Sequence, residues 1–146
     1  MNTLQIEQIF KNKYSNTFKG AIAFDELPTK ISRPSAYIIN THSRDKSGEH
    51  WLGIYFNTNN SVDFFDSFGM GPQFYRLENY LFKYNSTINY NKYALQSLNS
   101  NYCGLYCVLF IIFKCKRKSF YNFLDIFKTD TLINDYEIKK LIDFYK

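Results

Sequence analysis

The sequence has little of what would stabilise a small exported domain or hold one in a membrane. Only three of its 146 residues are cysteine, and all three lie in one short segment, so they form no disulfide framework and we expect a reducing compartment. No apolar run approaches the roughly 20 residues that a membrane span needs, and no signal peptide is visible at Met1. We therefore expect a soluble protein that is not secreted and makes no membrane contact.

Proline and glycine are also scarce, with three and six residues, and no linker or internal repeat interrupts the chain. Hydrophobic residues make up 45% and charged residues 21%, which excludes a disordered composition. The length suits one domain with a genuine core, residues 1–146. The net charge of +5 permits contact with nucleic acid or acidic partners without demonstrating it.

The most informative stretch runs from Gln96 to Cys107. Polar, turn-prone residues lead into Cys103 and Gly104, and an apolar block without a polar face, Leu105–Phe113, follows. This pattern predicts a buried helix with Cys103 at its N-terminus, where the helix dipole and free N–H groups favour a thiolate and could hold an oxyanion. Cys103 is a candidate nucleophile, although this stretch alone also fits a buried structural cysteine.

A nucleophilic cysteine needs a base, and the chain has only two histidines. His42 lies in a polar loop, residues 41–49, and is predicted to be an ordinary exposed residue. His50 begins a strand-like run that continues to Phe56, and Asp66 ends a second run, Val62–Asp66. The chain thus offers two histidines as candidate bases, of which His50 borders a strand-like run and Asp66 ends the next one.

A zinc site is the first competing interpretation. Cys103 and Cys107 are one helical turn apart, and His50 could join them as a third ligand. Because no fourth ligand is evident and the predicted helix is otherwise apolar, we expect no metal.

The order of these motifs resembles the adenovirus-type (adenain-like) cysteine endopeptidases, which are related to the ubiquitin-like-protein-specific proteases. The resemblance covers about residues 18–113 and is carried by these motifs: Phe18-Lys19-Gly20, Asp25-Glu26-Leu27-Pro28, Ala36–Thr41, His50-Trp51, Phe65-Asp66-Ser67-Phe68-Gly69, Gln96, Asn99 and Cys103-Gly104-Leu105. It is nearest to the maturation proteases of virophages and virus-like DNA transposons. It implies an α+β, papain-like/adenain-like fold with a central mixed β-sheet of about five short strands flanked by helices.

The resemblance also implies roles for individual residues. Cys103, His50 and Asp66 would form the catalytic triad, and the Gln96 amide would donate to the oxyanion together with the Cys103 backbone N–H. Trp51 would be either a core aromatic or a wall of the substrate cleft. The carboxylates of Asp25 and Glu26 would be either a solvated surface pair or a contact to a substrate amine.

The implied function is cleavage of viral capsid or core precursors at Gly-containing sites, in the virion or in the cytoplasm or nucleus of an infected cell. The alternatives are a protease that removes ubiquitin or a related modifier, and an inactive binding module that retains the fold. We expect a monomer without cofactors, although DNA or a peptide could act as activator. No cysteine precedes Gln96, so the disulfide that adenovirus enzymes make to an activating peptide has no partner here.

A basic run follows the buried helix and is either a solvated helix end or a weak nucleic-acid contact. It consists of Lys114, Lys116, Arg117 and Lys118.

Periodicity and turn signals predict the remaining elements. The predicted helices cover residues 4–10, 74–84, 120–127 and 136–145, and the predicted strands cover residues 36–40, 51–56, 62–66 and 93–96. Residues 18–30 are predicted to be irregular.

The Asn-rich turn between the second and third predicted strands allows two registers. A four-residue loop pairs Phe56 with Ser61, so that paired numbers add to 117, and His50 and Asp66 then point to opposite faces. A three-residue loop, Thr58 to Asn60, gives a sum of 118 and places the two residues on the same face, diagonal to each other. Because the triad needs their hydrogen bond, we predict the even sum or a bulge beside one of the two residues.

Overall fold

The computed structural model describes residues 1–43 and 50–146. The strands are β1 (Phe18–Ala23), β2 (Ser35–Asn40), β3 (Trp51–Phe56), β4 (Ser61–Phe65) and β5 (Thr87–Tyr90). The α-helices are α1 (Thr3–Phe10), α2 (Glu78–Tyr84), α3 (Cys103–Cys115), α4 (Phe120–Asp125) and α5 (Thr131–Tyr145). Two 3₁₀ helices cover Phe24–Glu26 and Pro72–Tyr75. Among the described helices, none combines the length and apolarity that a membrane crossing requires.

The five strands form one sheet in the order β1-β2-β3-β4-β5. The two outer pairs are parallel and the two inner pairs antiparallel. The expected mixed sheet of about five short strands, flanked by helices, is therefore confirmed. Both β3 and β4 are buried along their whole length, because helices and loops cover both faces of the sheet.

The helix α3 packs across β3 and forms the larger of two cores. Gly53 makes this close approach possible, since a Cβ atom there would lie 2.7 Å from the ring of Phe110. Ten of the thirteen residues of α3 are buried, so the predicted buried helix that begins at Cys103 is confirmed. A second core covers the opposite face and includes Leu52, Phe64, Leu77 and Leu81.

The β3–β4 hairpin has the register predicted for a three-residue loop. Gly53 pairs with Phe65 and Phe56 with Val62, so paired numbers add to 118. The Asn57 N–H donates to the Ser61 carbonyl at 2.8 Å, and Asn60 closes the loop at φ 63°, a conformation that Asn tolerates. The prediction that His50 and Asp66 share one face is confirmed.

The helix predicted over residues 74–84 is broken into two pieces. The 3₁₀ helix ends at Tyr75, Arg76 takes a left-handed conformation at φ 59°, and α2 begins only at Glu78. This break allows Tyr75 to reach the carboxylate of Asp66, while Leu81 enters the second core. Tertiary contacts thus override a periodicity that is compatible with one helix.

Both outer strands differ from the sequence-based prediction. The predicted strand over residues 93–96 is wrong, because the N–H groups of Leu95 and Gln96 both donate to the Ser67 carbonyl instead of joining a ladder. The fifth strand is β5, in a segment for which no helix or strand was predicted, and β1 lies where an irregular segment was predicted. The helices α1, α4 and α5 are present as predicted, although α5 begins five residues earlier, at an N-cap formed by Asp130. The predicted loop over residues 41–49 lies largely outside the described residues.

Arg33 connects the hairpin turn to the end of α2. Its guanidinium donates to the carbonyls of Asn57 (2.9 Å), Ser61 (3.2 Å) and Tyr84 (2.6 Å) and to the side chain of Asn85 (2.8 Å). These bonds satisfy carbonyls of the turn and the last carbonyl of α2.

We predict that Arg33→Ala lowers the free energy of unfolding by about 2–4 kcal/mol, since it leaves several partly buried acceptors without a donor. Arg33→Lys is expected to lose about half as much, because an ammonium cannot reproduce the planar fork. Urea unfolding measures both effects. Lys118→Ala, at an exposed position, serves as the control. An Arg33→Ala protein as stable as this control would contradict the assignment.

Candidate active site

His50 and Asp66 meet at one end of the β3–β4 hairpin. The His50 Nε2 atom lies 2.7 Å from Asp66 Oδ1, and the Asp66 side chain is completely buried. The His50 ring stacks on Phe68, with centroids 4.8 Å apart. This stacking and the hydrogen bond hold the imidazole in one orientation, so its Nδ1 atom is left for a second partner.

Asp66 is held by more than its histidine. Its carboxylate accepts hydrogen bonds from the Phe68 N–H (3.0 Å), the Met70 N–H (3.2 Å) and the Tyr75 hydroxyl (2.6 Å). Asn91 bonds the Asp66 backbone twice, accepting from its N–H at 3.2 Å and donating to its carbonyl at 2.6 Å. Three donors besides His50 therefore fix the position of this buried carboxylate.

The turn after Asp66 requires a glycine. Gly69 has φ +77°, and a Cβ atom there would lie 2.3 Å from the backbone carbon of Tyr93. Its N–H closes the turn by donating to the Asp66 carbonyl at 2.8 Å. The missing side chain therefore lets the segment that carries Gln96 lie directly against the turn.

Cys103 is the first residue of α3 and is 8% exposed. Burial by itself would raise the pKa of its thiol, but hydrogen bonds from His50 and from the backbone of Trp51 and Gly104 outweigh burial and lower the pKa. Burial would likewise lower the pKa of His50, yet its hydrogen bonds and charge interactions with Asp66 and Cys103 raise that pKa to about 9. Both shifts act in the direction of a thiolate–imidazolium pair.

The other two cysteines lack these partners. Cys107 is completely buried one turn further along α3, and its thiol donates to the Trp51 carbonyl at 3.4 Å. Burial raises the pKa of the Cys107 thiol well above its ordinary value and also raises that of Cys115, to about 11. Neither thiol is activated.

Gln96 lines the same small cleft as His50, Trp51 and Cys103, with a volume of about 240 Å³. Its Oε1 atom accepts from the Ser67 hydroxyl at 2.6 Å. Its Nε2 atom donates to the Ser100 carbonyl at 3.0 Å and to the Ser100 hydroxyl at 2.8 Å. An oxyanion in the cleft would therefore compete with the Ser100 hydroxyl, which can rotate, for one amide proton.

Trp51 belongs both to the core and to the wall of the cleft. It is 7% exposed within the larger core, and its indole Nε1–H donates to the Met1 carbonyl at 3.0 Å. A Cβ atom at Gly104 would lie 3.1 Å from the Met1 side chain and 3.3 Å from the Trp51 ring. The glycine after Cys103 thus makes room for these two residues at the helix start.

Asp25, Glu26 and His42 are not among the residues that line the cleft of Cys103. Asp25 and Glu26 are exposed in the first 3₁₀ helix, and Glu26 lines a neighbouring groove of about 490 Å³ together with Trp51 and His42. His42 is half-buried and does not line the cleft of Cys103.

The structure separates Lys114 from the rest of the basic run. Lys114 is mostly buried and forms an ion pair with Asp63 at 2.7 Å. Lys116, Arg117 and Lys118 are exposed after the end of α3. The exposed basic patch therefore consists of these three residues alone.

Sequence reasoning missed three residues that hold the site, namely Ser67, Tyr75 and Asn91. Ser67 belongs to the motif Phe65-Asp66-Ser67-Phe68-Gly69, so its place next to Asp66 could have indicated a role at the site. Tyr75 reaches Asp66 from the break before α2, and Asn91 reaches it from the segment after β5. No periodicity in the sequence indicates either contact.

We predict that the reactivity of Cys103 follows the ion pair. Alkylation by iodoacetamide should begin at a pH below the ordinary thiol range, because the Cys103 pKa is lowered. The ion pair should then be lost as the His50 imidazolium gives up its proton near pH 9.

In His50→Ala the onset of alkylation should move to higher pH, since the stabilising cation is gone, whereas Cys107→Ala should leave the profile unchanged. Mass spectrometry of the labelled peptide measures both profiles. An ordinary thiol titration in the unmodified protein would contradict the ion pair.

Comparisons with known proteins agree on one family. The sequence profile of the adenovirus endoprotease family matches residues 21–139. The protease of bovine adenovirus 2 is 28% identical over 123 residues, covering 74% of this chain and 56% of its own. The protease of human adenovirus B serotype 3 is 29% identical over 118 residues, covering 70% and 52%. The chain thus spans about half the length of the curated relatives it matches.

Among solved structures, ChlaDub1 from Chlamydia trachomatis has a TM-score of 0.51 at 17% identity, covering 64% of this chain and 45% of that one. At this identity the similarity concerns the fold, which it supports independently of the sequence match. The family profile covers most of the chain, including the hairpin of His50 and Asp66 and the start of α3. The chain therefore belongs to the adenovirus endoprotease family.

Proposed function

We propose that this chain is a cysteine endopeptidase that cleaves viral capsid or core precursor proteins at Gly-containing sites. The observation that carries the proposal is the 2.7 Å hydrogen bond between His50 and the buried Asp66, beside a cysteine with a lowered pKa at a helix start. Family membership supports a protease. The position of Cys103 at the start of α3, next to a histidine that is hydrogen-bonded to Asp66, supports the cysteine type. Substrates of this kind would be met in the virion or in an infected cell.

In the proposed mechanism the Cys103 thiolate attacks the scissile carbonyl and forms a C–S bond. Negative charge moves onto the carbonyl oxygen, where the Cys103 N–H and the Gln96 amide would stabilise it. The His50 imidazolium then gives its proton to the leaving amine as the C–N bond breaks. Water, deprotonated by His50, hydrolyses the thioester and restores the thiolate.

Asp66 acts on this cycle through His50. Its carboxylate accepts from Nε2, so the nitrogen facing Cys103 is the one that exchanges the proton. Its other donors hold the carboxylate in place, so that it orients the imidazolium and interacts favourably with its charge.

A small residue before the scissile bond suits the cleft. Its volume is about 240 Å³, and Trp51 and Met1 lie against the helix start beside Cys103. Little room is left for a side chain next to the reacting carbonyl. We therefore propose that Gly-containing sequences enter most readily.

The proposal predicts cleavage of a peptide library with selection for Gly or another small residue before the scissile bond. Cys103→Ala should lower turnover at least 10³-fold, because the nucleophile is lost. Cys107→Ala, a matched change one helical turn away, should retain most activity. Mapping of new termini by mass spectrometry measures the selection.

The outcomes separate the alternatives. Cleavage by the Cys103→Ala protein, or equal turnover of bulky residues at the selected positions, would refute the proposal. Preferential reaction with probes that carry a ubiquitin-type C-terminus would indicate removal of a modifier. A binding module would leave Cys103 unlabelled by a thiol-reactive peptide.

We also propose a weak contact of the exposed basic patch with DNA, which could raise activity. The patch is Lys116, Arg117 and Lys118, and the net charge of +5 favours the approach of a polyanion. A monomer without a bound cofactor is part of the same proposal. Activation by a disulfide-linked peptide is not, since no cysteine precedes Gln96.

If the patch contacts phosphates, replacing Lys116 and Lys118 by Gln should weaken DNA binding and reduce the slope of log affinity against log salt by about two. The same change at Lys139 and Lys140, exposed on α5, is the charge-matched control. Fluorescence anisotropy across a salt series measures the slope. Absence of DNA affinity even at low salt would end this proposal.

A further inference from the structure

The buried contacts of Gln96 connect it to Ser67, the residue after Asp66. Ser67 is completely buried and Gln96 is 1% exposed. The Ser67 hydroxyl donates to Gln96 Oε1 at 2.6 Å. The Ser67 carbonyl accepts from the N–H of Leu95 at 2.8 Å and of Gln96 at 3.1 Å. One residue therefore fixes both the backbone and the side chain at Gln96.

The two ends of the Gln96 amide have different partners. The Ser100 carbonyl can only accept, so it selects the orientation in which Nε2 faces Ser100 and the cleft. A hydroxyl can both donate and accept, so Ser67 does not select the orientation. Ser67 instead satisfies the carbonyl end and fixes its position.

Removal of the Ser67 hydroxyl would leave this arrangement without a stable alternative. In the present orientation the buried Oε1 atom would lose its donor, which is costly in a site closed to water. After a flip of the amide, Oε1 would face the Ser100 carbonyl, and two acceptors would repel each other. The side chain would have to move, and Nε2 would leave its place against Ser100 at the cleft that Cys103 lines.

We propose that Ser67 is a positioning residue for the oxyanion donor: its hydroxyl holds the Gln96 amide so that Nε2 faces the cleft of Cys103. The inference rests on the proposed function, because it assigns Gln96 the role of stabilising charge on the reacting carbonyl oxygen. It couples two parts of the site, since the turn that carries the triad carboxylate also holds the oxyanion donor.

Two reactions of Cys103 separate this role from a general structural one. Alkylation by iodoacetamide displaces iodide and forms no oxyanion, so it reports only on the thiolate and His50. A peptide aldehyde ending in Gly-Gly adds the thiol to its carbonyl and forms a tetrahedral adduct whose oxygen lies at the oxyanion position. Its affinity is measured by the protection of Cys103 from iodoacetamide, which requires no turnover.

In Ser67→Ala we expect aldehyde affinity and peptide turnover to fall roughly 10- to 100-fold, somewhat less than the loss of a whole oxyanion donor. Alkylation should stay within about twofold of the unmodified protein across the pH range, because the thiolate and His50 are untouched. Ser67→Cys keeps a weaker donor of similar size, so its aldehyde affinity should lie between those of Ser67→Ala and the unmodified protein. It also provides a second variant if Ser67→Ala does not fold.

Ser35→Ala is the matched control, since Ser35 is also completely buried but its hydroxyl has no hydrogen-bond partner among the described residues. This variant should change neither reaction.

The double variant Ser67→Ala/Gln96→Ala supplies the decisive comparison. If Ser67 acts through Gln96, the double variant should bind the aldehyde no more weakly than Gln96→Ala alone. Additive losses, unchanged aldehyde affinity in Ser67→Ala, or a parallel loss of alkylation would overturn the inference. If the unmodified protein and the variants bind the aldehyde as expected but no peptide is cleaved, the proposed function fails while the positioning role of Ser67 stands.

Discussion

The hydrogen bond between His50 and Asp66 depends on the length of the loop that joins β3 to β4. With three residues in that loop the paired numbers add to 118, and the two side chains share one face of the sheet. One more residue would turn Asp66 toward the opposite face, because side chains alternate along a strand. The chosen face also supplies the Tyr75 hydroxyl and the amides of the following turn, without which a completely buried carboxylate would be unstable. The register therefore determines which residue pairs with His50. It also determines which donors satisfy the buried carboxylate of Asp66.

Buried polar contacts, rather than a β ladder, hold the segment between β5 and α3. The Ser67 carbonyl accepts from the N–H groups of Leu95 and Gln96 in this segment. Asn134 of α5 donates to the Leu95 carbonyl at 3.0 Å, and the Ser97 hydroxyl donates to Asp135. Asp135 also accepts from the Tyr106 hydroxyl of α3, at 2.7 Å. Parts of the chain that are distant in sequence thus meet on one irregular segment, since each supplies a hydrogen bond that the segment cannot make internally. The position of Gln96 consequently depends on α5 as well as on the turn after β4.

The predictability of the structure follows from the range of the interactions involved. Sequence patterns indicated the central strands, the hairpin register and the start of α3, because alternation, turn residues and an apolar block are local signals. They missed β1 and β5, which are outer strands with little continuous apolar sequence, and they extended a helix through Arg76. For the site, the motifs named residues that the structure brings close together: His50, Gln96 and Cys103 line one cleft, and Asp66 is hydrogen-bonded to His50. The holding contacts of Ser67 and Asn91 come from residues 25 to 29 positions apart, and a single sequence carries no periodic signal for such pairs.

Partners, rather than burial, distinguish the two cysteines of α3. Cys103 and Cys107 are both buried, one helical turn apart, and burial raises the pKa of each. Only Cys103 has an imidazole beside it and the free amides of a helix start around it. Its thiol is therefore the one whose pKa is lowered. The same balance applies to His50, whose burial opposes the charged form that Asp66 and Cys103 support. Neither charge would be stable alone in this cleft, because each desolvation cost is offset by the opposite charge and by fixed hydrogen bonds. The ion pair is thus a property of the assembled site, in which the hairpin register brings Asp66 to His50 and His50 in turn lowers the pKa of Cys103.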